Sequence, residues 1–159
     1  MLNRKEVTVL KKVIKEITAK KVDRNFWIED DQGYTCFGMG YFFLRLKTEN
    51  IPEELSLPVS LEKEKMIDSI EEIIKAAYTE AEDTGLLEKS GKDLLKIISR
   101  LSDQRLIYVN DKFDFGLEDY NISVDSSDLK NHPITLCEKG GLQIYVLPVR
   151  VQEKNKFLK

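Results

Sequence analysis

The sequence predicts an α+β protein in which helices pack on an antiparallel sheet. Two observations support this class: apolar residues recur at helical spacing in several segments, and β-rich runs alternate with short turn clusters. The chain has 159 residues, of which 42% are hydrophobic and 33% are charged, so it belongs with globular rather than disordered proteins. This length favours one domain, which we place at residues 1–151, followed by a flexible tail at residues 152–159.

Three segments have the apolar spacing of amphipathic helices. The first covers residues 4–20, and the second covers residues 66–81 and ends near Gly85. A third helix is expected to begin near Ser90, since Asp93 follows it at capping-box distance. Its apolar side is formed by Leu94, Ile97, Ile98 and Leu101.

Strands are expected in pairs around turn clusters. A final hairpin is predicted where Gly140-Gly141 separates the β-rich runs 133–137 and 142–151. Two further hairpins are predicted, one from residues 26–28 and 34–47 and the other from residues 105–110 and 113–117. The first helix and hairpin share the element order of residues 92–117, which suggests an internal duplication.

Basic residues are concentrated near the start of a chain whose net charge is −3. Residues 2–24 contain eight Lys or Arg against three acids, and the predicted third helix repeats a basic side. Such helix faces attract the phosphates of nucleic acid without reading its sequence, although lysine-rich helix faces are also common as plain solvated surfaces. The candidate DNA-binding residues are Lys11, Lys12, Lys15, Lys92, Lys96 and Arg100.

The second predicted helix has the opposite charge. Residues 62–83 contain eight Asp or Glu against three lysines, and phosphate would be repelled there. We therefore assign this acidic helix to contact with a basic protein partner. Its candidate partner-binding residues are Glu64, Asp68, Glu71 and Glu72.

Catalytic and cofactor motifs are not apparent in the sequence. His132 is the sole histidine, and it lies in a turn beside Pro133, where an ordinary turn role is favoured over a triad. Cys36 and Cys137 lie far apart and lack ligand spacing, so the sequence predicts buried thiols, with neither metal nor cofactor. We expect a protein that is not an enzyme, and the absence of a long apolar run predicts a cytoplasmic location without membrane contact.

Two strand motifs resemble those of bacterial sliding clamps, the processivity subunits of replicative polymerases. The run from Thr35 to Leu46 is similar to a clamp strand containing Asp-Gly and Arg-Leu, with Met39 in place of the Asp. The run 145–151 is similar to the terminal strand of that family, with Pro148 and Arg150 matching. The acidic helix has no counterpart and would be an insertion.

The resemblance implies a DNA-clamp-like fold and a non-catalytic role as a DNA replication accessory or scaffold. Double-stranded DNA would be held by its backbone, independently of sequence, and replication proteins would be partners. A clamp chain contains several such domains, so this shorter chain would have to form a homo-oligomer to encircle DNA. The alternative function is a protein-interaction module, either adaptor or inhibitor, that uses the acidic helix 62–83 and does not contact DNA.

Overall fold

The computed structural model describes residues 4–19, 26–30, 32–39, 42–51, 64–110, 120–127, 133–139 and 141–149. These residues form nine strands, two α-helices and one 3₁₀ turn at Thr48–Asn50. The helices are α1 (Arg4–Ala19) and α2 (Glu64–Lys75). The strands are β1 (Phe26–Glu29), β2 (Tyr34–Met39), β3 (Phe42–Lys47), β4 (Tyr78–Ser90), β5 (Asp93–Arg100), β6 (Arg105–Asn110), β7 (Asn121–Asp125), β8 (Thr135–Lys139) and β9 (Leu142–Val146).

Strand content overturns the expected fold class. The α+β, helix-on-sheet prediction is wrong, because strands outnumber helices by nine to two among the described residues and pair mainly as antiparallel sheet. The third helix predicted from Ser90 is also wrong, since this segment ends β4 and continues into β5. The apolar residues of Leu94–Ile98 fit both the period of a helix and that of a strand. Gly91, with φ of +61°, forms a tight turn between β4 and β5.

The described chain divides into two compact units. One unit contains residues 1–74 and 138–145, and the other contains residues 75–137 and 146–159. In the first unit the strand order is β1-β2-β3-β9, and β1–β2 and β2–β3 are antiparallel. Its core includes Leu10 and Val13 of α1 and, on the strands, Phe37 and Leu44, all fully buried.

Gly38 permits the close packing of β2 against β3. It pairs with Phe26 on one side and Phe43 on the other. A Cβ atom at this position would lie 2.5 Å from the Cα of Phe43, so only glycine fits. Phe43 in turn stacks on Tyr145 of β9, with ring centroids 4.6 Å apart. The Phe43 ring is therefore part of the packed interior of the first unit.

The second unit has the strand order β8-β7-β4-β5-β6, and of β8 it contains residues 135–137. Antiparallel pairing is recorded for β7–β4, β4–β5 and β5–β6. Leu95, Ile97 and Tyr108 form one core cluster, against which Leu106 and Val149 pack. Beyond the last strand, the Val149 N–H donates to the Tyr108 carbonyl at 2.7 Å, so the segment after β9 runs beside β6.

Several predicted elements lie where the sequence places them. The two runs of the final hairpin are β8 and β9, which are hydrogen-bonded neighbours, although β9 ends at Val146. Strand β6 matches the predicted strand 105–110, while its proposed partner 113–117 and the tail 152–159 lie outside the described residues.

The structure does not have the element order that the sequence predicts for residues 92–117. Residues 92–117 contain no helix in their described part, so the predicted repeat boundaries are wrong. The order of one helix followed by three antiparallel strands nevertheless occurs twice, as α1-β1-β2-β3 and α2-β4-β5-β6. The acidic helix therefore begins the second of these segments along the chain.

Candidate nucleic-acid interface

Helix α1 separates an apolar side from a basic side. Val9, Leu10 and Val13 are at most 2% exposed, because their spacing places them on one face of the helix. The opposite side carries exposed basic residues. They are Arg4, Lys5, Lys11, Lys12 and Lys15.

The three predicted lysines of α1 lie close together. Lys11 and Lys15 are separated by four residues and Lys12 and Lys15 by three, so their side chains are neighbours on the helix surface. The helix has 16 residues and is about 24 Å long, and the basic residues occupy most of this length. The structure therefore brings Lys11, Lys12 and Lys15 together as the sequence predicts.

The second predicted group of basic residues has a different environment. Lys92 is exposed in the turn between β4 and β5. Lys96 is half-buried and forms an ion pair with Asp83, with an Nζ–Oδ2 distance of 3.3 Å. Arg100 is only 2% exposed. The predicted basic face of a third helix is wrong, because this segment is a strand whose last cation is buried.

Arg100 is held by a dense set of hydrogen bonds. Its Nε donates to Asp103 Oδ1 at 2.9 Å, and its Nη2 donates to Asp103 Oδ2. Its Nη1 donates to the backbone carbonyl of Asp125 at 2.9 Å. Hydrogen bonds from Arg100 hold the pKa of Asp103 below its ordinary value of 3.8. This arrangement stabilises a turn rather than presenting a cation to a ligand.

A second polar network lies in the first unit. Arg45 lies over the Tyr34 ring, 3.9 Å from its centroid, and its Nη2 is 3.8 Å from Asp30 Oδ2. Its Nη1 donates to Gln143 Oε1 at 3.2 Å, and Gln143 Nε2 donates to Glu138 Oε2 at 3.1 Å. Arg45 is thus paired with Asp30, and the sequence pattern gave no sign of this network because its members lie on β2, β3, β8 and β9 and in the turn after β1.

The acidic helix is only partly as expected. Glu71 and Glu72 are exposed on α2, whereas the side chains of Glu64 and Asp68 lie outside the described residues. The helix ends at Lys75, so the acidic residues that follow belong to β4. Tyr78 and Thr79 begin that strand, in agreement with the strand preference of aromatic and β-branched residues.

The remaining candidate residues are the histidine and the two cysteines. Within the described parts of the chain, no three His, Cys, Asp or Glu residues come together as a potential metal site. His132 lies outside the described residues. Cys36 is buried and Cys137 half-buried, and both are free thiols. Burial raises the pKa of Cys36 from 9.0 to about 12, so this thiol stays protonated.

No protein-family model, curated protein or solved structure matches the chain significantly. In the described part of the chain, no helix has the length and apolar character required to span a membrane.

Proposed function

We propose that the protein is a non-catalytic DNA-associated factor that binds the DNA backbone through α1. The observation that carries this proposal is the exposed group Lys11, Lys12 and Lys15, opposite a fully buried apolar side of the same helix. The buried side fixes the orientation of the helix, so the basic side faces outward without further rearrangement.

The chemistry of this surface suits phosphate rather than base recognition. Lysine provides a flexible, strongly hydrated point charge, which follows a backbone and carries no base-specific geometry. The rest of the protein is acidic in balance, so DNA approaching elsewhere would meet repulsion and would be steered toward α1. Binding of this kind is weak and depends strongly on salt.

The proposed interface is smaller than the sequence predicts. Arg100 is excluded because it is buried and bonded to Asp103, and Lys96 is opposed by Asp83. Lys92 is exposed but belongs to a different unit, so it is not assigned to the interface. With three lysines, the logarithm of the DNA-binding constant should fall with the logarithm of the salt concentration with a slope of about −3. Arg4 and Lys5 would make this slope steeper.

A charge-matched pair of variants tests the proposal. Changing Lys11, Lys12 and Lys15 to Gln should weaken binding to a mixed-sequence DNA duplex at low salt and reduce the salt slope by about 2 to 3. The control changes three exposed lysines elsewhere, Lys47, Lys75 and Lys89, to Gln. Both variants have the same net charge, so a general charge effect would weaken them equally.

Fluorescence anisotropy across a salt series measures both quantities, and thermal unfolding checks that each variant is folded. A loss confined to the α1 variant supports the proposed interface. Equal losses in the two variants would contradict it, and so would the absence of DNA retention by the unmodified protein at low salt.

A further inference from the structure

We draw no further inference here: the strongest candidate, the patch of exposed leucines Leu86, Leu87 and Leu94 at the outer end of the β4–β5 hairpin, carries nothing, because the charges between Leu87 and Leu94 cancel and nothing in the structure shows what covers the patch.

Discussion

Arg100 and Asp103 form a two-point ion pair in which one guanidinium donates to both oxygens of one carboxylate. The same carboxylate accepts the N–H of Arg105 at 3.1 Å, and the Gln104 N–H donates to the Arg100 carbonyl at 2.7 Å. Asp103 therefore neutralises a buried cation and also shapes the turn from β5 to β6. Gln104 has a φ of 58° in this turn, a conformation that the surrounding bonds maintain.

Replacing Asp103 by Asn should lower the free energy of unfolding by about 2 kcal/mol, because a nearly buried guanidinium would lose one charged hydrogen-bond partner. Urea denaturation measures this change. The control is Asp93→Asn, which alters an exposed aspartate at the start of β5 and should change stability by less than about 0.5 kcal/mol. Equal effects of the two substitutions would contradict the role assigned to Asp103.

The same ion pair predicts a pH dependence. Since Arg100 lowers the pKa of Asp103 below 3.8, the carboxylate stabilises the fold at pH values above this ordinary value. That stabilisation is lost as the pH falls through the lower pKa of the folded protein. The stability difference between the unmodified protein and Asp103→Asn should be constant from about pH 5 to about pH 8 and shrink below about pH 4. A difference that grows on acidification would be inconsistent with this coupling.

Thiol labelling should distinguish the two cysteines. Cys36 is 3% exposed and its pKa is raised to about 12, mainly by burial, so little thiolate forms and reagents have little access. Cys137 is half-buried and should react with iodoacetamide at least tenfold faster in the folded protein. Mass spectrometry of peptides follows both sites, and labelling in denaturant should remove the difference. Faster labelling of Cys36 under native conditions would refute the buried environment.

The first helix could be predicted because one side of it meets the core. Leu10 and Val13 are buried and Lys11 and Lys12 exposed, so the apolar period survives in the sequence. The basic side of α1 was predictable for the same reason. Its membership of an interface remains a prediction, since charge pattern alone does not identify a partner.

Strand β5 could not be recognised by periodicity. Leu95 and Ile98 point to opposite faces and are both nearly fully buried, so alternation between apolar and polar residues is lost. Lys96 and Arg100 then mimic the spacing of a helix face, although one pairs with Asp83 and the other with Asp103. These partners are set by tertiary structure and by a turn, and neither was visible in the spacing of the basic residues.

The discontinuous makeup of the two units has a consequence for synthesis on the ribosome. Strand β3 ends at Lys47, whereas its neighbour β9 begins at Leu142. Arg45 can bond to Gln143, and Phe43 can stack on Tyr145, only after β9 has been synthesised. At ordinary elongation rates the intervening chain takes roughly 5 to 20 s to make. During this interval the nascent first unit exposes the β3 edge and an unstacked phenylalanine. Its sheet is completed only when the last hairpin leaves the exit tunnel.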